Sequence, residues 1–467
     1  MSQQNTVSVN KAKWWQVLGF SFNNASTNAV YLVFMLYFLV YSTSIYGFSA
    51  LLVGAIMTGA RLFDAVTDPI IGLLIDRTDT KFGRFRPWIL GGSIVSAITF
   101  VLMFSGIKTG SAAGDLSMII ALYVVWVIGY TAQTACTKSA QTIVSAVPEQ
   151  RSMVNALGQL YTVILYMFAM AAGMPIINAM GGTSVPAAWR TIGLIFAVVQ
   201  LLFGLFTVLG LKGKDVKENY VKLAVQEKAK IKDYFKLFGK NRALQMLVVA
   251  ASTNKIAQTM VGSLTVLFYF YVAKNQALQS SVPVMTMPIM ILTTFLVIPL
   301  IKKYGRKEMF SISSWGGFIF GVAAIFLVYL NPSNMIWLVL VTGINMILIA
   351  GTGDTNLISM IGDAADYHYY KYGKFIPGMI GTAFSLIDKL VSSFGTLIIG
   401  AVLTWVGFVN IDTTPQTSNM FWAILIMYFG LPALGHLFSI IGMKFHPLDK
   451  KTHQQMILDL AEKDAQQ

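Results

Sequence analysis

Residues 61–88 read RLFDAVTDPIIGLLIDRTDTKFGRFRPW, an apolar helix that carries three charged side chains and ends in a basic loop. Arg61, Asp64 and Asp68 are spaced i, i+3, i+7 and so share one helical face. A charge at the bilayer centre costs about 2.5–3.5 kcal/mol on insertion scales, so three on one face point to a polar site turned away from lipid. The plainer alternative is an Arg61/Asp64 pair that merely holds helices together. Pro69 follows Asp68 directly and cannot donate to the Ala65 carbonyl, which places a freed carbonyl oxygen beside two carboxylates. Such a cluster can coordinate a cation. Two carboxylates four residues apart can share a proton or bind Na⁺, and Arg61 biases how many negative charges persist.

The rest of the chain fits a membrane setting. Of 467 residues, 55% are hydrophobic and only 12% charged, and the mean hydropathy is +0.65, far outside soluble averages. The single cysteine, Cys136, excludes an internal disulfide and speaks against a Cys-based metal site. The polar N-terminus, MSQQNTVSVNKAKWW, leads into a span far longer than a signal-peptide core and has no small-residue cleavage site, so it is expected to be retained. His368, His436, His446 and His453 are scattered and no nucleophile, metal or P-loop motif accompanies them. Neither an enzyme nor an ATP-driven pump is expected, and no cofactor.

Apolar runs of about 20 residues, long enough to span, fall at 14–42, 48–76, 88–106, 118–144, 153–176, 190–211, 243–273, 284–301, 309–330, 335–361, 377–406 and 419–443. With twelve spans both termini share a side. The tails and alternate loops hold 27 of the 34 Lys and Arg, only Lys108, Arg190 and Lys274 fall opposite, and Arg61, Lys138, Lys255 and Lys389 lie within spans. The positive-inside rule then makes tails and basic loops cytoplasmic, and it accounts for the net charge of +14 without nucleic acid.

The loop from Lys212 to Arg242 carries ten basic and four acidic residues. Val221, Leu223 and Val225, with Ile231, Phe235 and Phe238, point to an amphipathic helix on the inner membrane surface, with a solvated linker as the alternative. This loop divides the chain into an N-terminal bundle (1–211), a linker (212–242), a C-terminal bundle (243–443) and a tail (444–467). The halves echo one another: LLIDRTDTKFGRFRPW follows the second span and PLIKKYGRKEMF the eighth, so that Phe82-Gly83-Arg84 matches Tyr304-Gly305-Arg306. An all-α polytopic membrane protein, with twelve transmembrane helices in two pseudo-symmetric six-helix bundles, is the major facilitator plan. Arg84, Arg86 and Arg306 then read as gating residues that clamp neighbouring helices.

Other polar residues interrupt the spans. SFNNASTN, residues 21–28, offers Asn23, Asn24 and Asn28 for hydrogen bonds to sugar hydroxyls, the alternative being bonds between helices. The fourth span supplies Tyr130, Thr131, Gln133, Thr134 and Lys138, the seventh Asn254, Lys255 and Gln258, and the eleventh Asp388-Lys389. A lysine near a span end can snorkel. Lys389 is near mid-span, and a salt bridge from it to Asp64 or Asp68 is the sharper hypothesis.

Asp64-Ala-Val-Thr-Asp68-Pro69, Lys81-Phe-Gly-Arg-Phe-Arg-Pro-Trp88, and Ala365-Asp366-Tyr367 through Lys371-Tyr-Gly-Lys374 with Gly378 and Lys389 resemble the glycoside-pentoside-hexuronide:cation symporters, the family of the melibiose carrier. The resemblance spans essentially the whole chain. It implies that Asp64 and Asp68 are the cation-site carboxylates with Thr67 and Thr131 as neighbouring ligands, and that Lys389 is the helix-eleven lysine linked to them. Thr67 stands where the melibiose carrier's Na⁺ site has asparagine, which favours H⁺ over Na⁺. The sugar-site aspartates of helices one and four fall at Asn24 and Thr134, a stacking tryptophan at Lys138, and the helix-five arginine near Gln159.

Losing two carboxylates and gaining Lys138 and Lys255 makes the expected cavity more positive, and an unpaired buried ammonium is costly. Either these lysines have partners or the substrate brings a carboxylate, as a glucuronide does. The expected function is cation-coupled import of a glycoside by alternating access, in a monomer of the cytoplasmic membrane. The rivals are a carrier of amphiphilic or lipid-like solutes on the same fold and a non-transporting sensor.

Overall fold

The computed structural model describes residues 11–145, 147–217, 231–373 and 376–465, and those residues are helical almost throughout. They divide into two compact units, Met1–Phe48 with Phe63–Val225 (unit 1) and Ser49–Leu62 with Gln226–Gln467 (unit 2). Eleven helical stretches among the described residues are long and apolar enough to cross a bilayer. The twelfth, expected at 243–273, is a helix over Arg242–Leu267 continued by a π-turn over Phe268–Val272. Its run Ser252-Thr-Asn-Lys255 and Gln258 lowers its hydropathy below that of the others.

Unit 1 is built from α1 (Trp14–Ile45), the C-terminal part of α2 (Ala50–Asp76), α3 (Arg86–Met103), α4 (Ala112–Ser139), a one-turn α5 (Gln141–Val144), α6 (Pro148–Ala179) and α7 (Pro186–Gly210). Proline in the first turn starts α3, α6 and α7, where its missing N–H costs nothing. Ser111 caps α4 by accepting from the Gly114 N–H at 3.1 Å, with Asp115 in the first turn. Small residues bring α3 and α4 together: a Cβ on Gly92 would lie 2.7 Å from the Gly129 carbonyl oxygen. Around this seam pack the buried rings of Phe34, Phe38, Tyr41, Phe100, Phe104, Trp126 and Trp189.

A polar network crosses the same core. The Gln133 amide donates to Ser26 Oγ at 2.7 Å, the Gln200 amide donates to Ser96 Oγ at 3.1 Å and Gln133 Oε1 at 3.3 Å, and Ser26 Oγ donates to the Gln200 carbonyl at 2.7 Å. All four side chains are fully buried, and together they tie α1, α3, α4 and α7. In an apolar medium these bonds are expensive to leave unmade.

Unit 2 contains α8 (Ile231–Lys240), α9 (Arg242–Leu267), α10 (Ala277–Tyr304), α11 (Arg306–Leu330), α12 (Met335–Ile349), α13 (Asp354–Tyr372), α14 (Pro377–Ser392), α15 (Phe394–Trp405), α16 (Ser418–Leu425), α17 (Leu431–Phe445) and the tail helix α18 (Lys450–Ala465). The N-terminal half of α2 belongs here. A Cβ on Gly400 would lie 2.9 Å from Leu51 Cα, and Thr58 Oγ1 donates to the Ser393 carbonyl at 2.9 Å.

Of the linker, Val221, Leu223 and Val225 lie outside the described residues. The described part forms α8, whose Leu237 is buried in the unit 2 core with Leu244, Met360 and Ile380. Leu237, with Phe238 packed beside it, is thus turned into protein.

Candidate cation and substrate site

On α2, Pro69 lies inside the helix and leaves the Ala65 carbonyl without its i+4 N–H donor. The Thr131 hydroxyl of α4 donates to Asp64 Oδ1 at 2.5 Å, and Thr67 Oγ1 donates to the Asp64 carbonyl at 3.1 Å. Thr131 is fully buried, whereas Asp64 and Asp68 are half-buried. Of the four expected cation-site residues, Thr131 thus reaches the Asp64 carboxylate, Thr67 bonds only to the Asp64 backbone carbonyl within α2, and Asp68 follows one turn along the same helix. Arg61 and Lys389 are half-buried residues of unit 2. Beside Lys389, Asp388 Oδ1 accepts from Ser252 Oγ at 2.9 Å.

The expected substrate residues separate into two groups. Asn23 is fully buried and donates to Thr137 Oγ1 at 2.7 Å, so its amide joins α1 to α4, the interhelical reading of this residue. Asn24 and Asn28 are half-buried: the Asn24 amide donates to Thr162 Oγ1 of α6 at 3.2 Å, and the Asn28 amide donates to the Asn24 carbonyl at 2.7 Å. Thr134 spends its hydroxyl proton on its own helix, at the carbonyls of Tyr130 and Thr131, 3.0 and 3.2 Å away. Lys138 lies in the last turns of α4, and its side chain is outside the described part. Lys255 is exposed on α9.

An aromatic element adds to this face. Tyr31, at i+7 from Asn24 and i+3 from Asn28, stacks on Tyr130 with ring centroids 5.4 Å apart, and Tyr130 stacks on Trp126 at 5.6 Å. The spacing of Asn24, Asn28 and Tyr31 matches the i, i+4, i+7 pattern of a single helical face, and that was the signal for Tyr31 in the sequence. Thr162 and Gln200 had no comparable signal, since each is a lone polar residue in an apolar helix.

The basic loops are held by carboxylates within their own units. The Asp215 carboxylate, 1% exposed, accepts from the backbone N–H groups of Arg84 (3.1 Å), Phe85 (3.0 Å) and Arg86 (2.9 Å), and the Arg86 Nε lies 3.5 Å from it. The acid thus occupies the N-terminus of α3, where free N–H groups and the helix dipole favour it. Gly83 has φ +99, and a side chain there would strike Asp215. The matching Gly305 has φ +107, and a Cβ on it would meet Glu308 and Lys450. Arg306 pairs with Asp363, which also lies 3.1 Å from His453 Nε2 of α18. Asp215 has no signal of its own in the sequence, where it sits in a linker with ten basic residues.

The sequence matches the MFS/sugar transport protein family over residues 19–450. An uncharacterized symporter of Bacillus subtilis (strain 168), YnaJ, is 27% identical over 478 residues, covering 98% of this chain and 96% of the relative. The isoprimeverose transporter of Lactiplantibacillus pentosus is 23% identical, covering 98% and 93%. A solved D-xylose-proton symporter superposes with a TM-score of 0.65 at 14% identity, covering 91% of this chain and 95% of that one, which shows a shared fold. These similarities bear out the resemblance to glycoside-pentoside-hexuronide symporters and the transporter, non-enzyme reading. An integral membrane chain with a carboxylate–hydroxyl pair inside its second and fourth spans, matched along nearly its whole length, belongs to the MFS/sugar transport protein family.

Proposed function

We propose that the chain is a cation-coupled symporter of a glycoside, with Asp64 and Asp68 as the carboxylates that take the cation and H⁺ as the coupling ion. The observation that carries this reading is the Thr131 hydroxyl donating to Asp64 Oδ1 at 2.5 Å in the middle of membrane-spanning helices. A carboxylate there is costly unless hydrogen-bonded or neutralised, and picking up a proton neutralises it with no cage of further oxygen ligands. Thr67 stands where the melibiose carrier's Na⁺ site has asparagine, which supports H⁺ over Na⁺. Arg61, three residues before Asp64 on the same helix, biases how many negative charges the carboxylates keep. Coupling is a thermodynamic linkage: the cation-loaded form binds substrate better, and substrate raises cation affinity by the same factor.

For the solute, Asn24 and Asn28 supply amide donors and acceptors, and the Tyr31/Tyr130 stack supplies a ring face for the apolar side of a sugar. A lipid-like solute would have no use for that row of amides. The replacement of two acidic positions by Asn24 and Thr134, with Lys138 added in the fourth span, supports a glycoside that carries a carboxylate. The bias of 27 of 34 Lys and Arg to the tails and alternate loops supports cytoplasmic termini in the cytoplasmic membrane. The test is uptake into proteoliposomes of neutral and uronic glycosides, with proton and Na⁺ gradients imposed separately. Accumulation of a uronic glycoside under a proton gradient alone is expected; equal uptake of both classes by wild type and by Lys138→Ala and Lys255→Ala variants overturns the acidic-substrate reading.

A further inference from the structure

A groove of about 510 Å³ lies on unit 2 between the first turns of α11 and the last turns of α17. Lys307, Ser311, Ile312 and Trp315 line one side, Ile440 and Lys444 the other. Lys307 is in the first turn of α11 and Lys444 in the last turn of α17, so the two ammonium groups come from different helices to one rim. Lys307 Nζ is anchored on the His446 carbonyl at 2.6 Å, which leaves two of its three N–H bonds for another acceptor. Glu308 also borders the groove, but Oε1 accepts from the Lys450 N–H at 3.0 Å and Oε2 is buried, so its charge is turned back into the protein. Beyond the rim, Ile312 (53% exposed) and Trp315 (48% exposed) present an apolar surface.

We propose that this groove is a binding site for an anionic phospholipid, its phosphodiester held between Lys307 and Lys444 with Ser311 as a further donor, and an acyl chain along Ile312, Trp315 and Ile440. A soluble anion would leave the apolar half unused, and a zwitterionic lipid would bring its own cation against two lysines. The positive rim is not a general property of helix grooves in this fold. A groove of about 380 Å³ on unit 1, between α1 and α7, is lined by Trp15, Phe22, Phe206 and neighbours without any charge. Basic pockets between spans at the membrane boundary are the known setting for anionic headgroups.

Native mass spectrometry of the purified full chain, with equimolar dioleoyl phosphatidylglycerol and dioleoyl phosphatidylcholine in detergent micelles, tests this. Wild type is expected to retain phosphatidylglycerol at least about fivefold over phosphatidylcholine, Lys307→Gln/Lys444→Gln to lose that preference, and Lys307→Arg/Lys444→Arg to keep it. The exposed Lys444→Gln alone, which leaves the His446 contact intact, is expected to lower it at least about twofold. Lys108→Gln/Lys274→Gln, which removes the same charge elsewhere, is expected to leave it unchanged. Equal retention of the two lipids by wild type, an unchanged preference in both glutamine variants of the groove, an equal loss in the Lys108/Lys274 control, or displacement of the lipid by inorganic phosphate would each overturn the proposal.

Discussion

The Thr131 hydroxyl, fully buried on α4, donates to the half-buried Asp64 carboxylate of α2 at 2.5 Å, and this bond joins the proposed cation carboxylate to the helix that carries Tyr130 and Thr134. A hydrogen bond to a charged group contributes about 1.5–3 kcal/mol. Thr131→Val should therefore cut concentrative uptake at least tenfold, while Thr131→Ser, which keeps the hydroxyl, should retain most of it. Initial uptake rates in proteoliposomes under a fixed proton gradient decide between them.

The two asparagines of α1 should behave differently although they are adjacent. Asn23→Ala removes a buried bond to Thr137 and is expected to lower the melting temperature in detergent with little change in substrate affinity. Asn28→Ala touches only the Asn24 carbonyl and side chain and is expected to weaken substrate binding with an unchanged melting temperature. Paired thermal-shift and binding measurements check both; the reverse pattern would return Asn23 to the substrate site.

Asp215→Ala should destabilise the fold more than any exposed acidic substitution. It strips three successive N–H groups, the central one buried, of their acceptor, at a cost of about 3 kcal/mol or more. Asp215→Asn keeps one acceptor oxygen and should fall between. By contrast Asp79→Ala, whose pair with Lys217 is solvent-exposed, should be close to neutral. Denaturation midpoints of the three variants give the ranking.

The tail helix should loosen as pH rises. His453 faces Asp363 and Asp366 of α13 and Arg306 of α11, and the hydrogen bond to Asp363 raises its pKa above the ordinary value. A group whose folded pKa is raised contributes fully below its unfolded value, about 6.5, and loses that contribution as pH rises through the folded value. Buried His446, with its pKa pushed down to about 4, acts in the opposite sense and costs stability as pH falls below about 6.5. Hydrogen exchange of α18 amides, corrected for intrinsic rates, should therefore speed up in wild type as pH rises above about 6.5 and through the raised His453 pKa, and His453→Gln should abolish that change while leaving the acid-side effect of His446.

Much of this molecule could be read from residue spacing. The charged face of α2 and the Tyr304-Gly305-Arg306 echo of Phe82-Gly83-Arg84 are local patterns, and both glycines do take the positive φ that an L side chain resists. What spacing could not convey is which partner a polar residue finds. Asn23 and Asn24 are neighbours of one type, yet a rotation of about 100° along the helix sends one into the α4 contact and the other to Thr162. Gln200 and Asp215 find partners far along the chain, at Gln133 and Ser96 and at the start of α3, so no local motif announces them. The α8 segment showed its amphipathic pattern in the sequence, but whether lipid or protein would cover the apolar face depended on the unit 2 core that receives Leu237.

The most direct test of proton coupling at Asp64 is glycoside accumulation by Asp64→Asn in proteoliposomes, measured beside wild type with a proton gradient and a Na⁺ gradient imposed in separate experiments. Wild type should accumulate substrate under the proton gradient alone, and Asp64→Asn should equilibrate substrate without concentrating it while still binding it. Full accumulation by Asp64→Asn under the proton gradient, or wild-type accumulation driven only by Na⁺, would contradict the account.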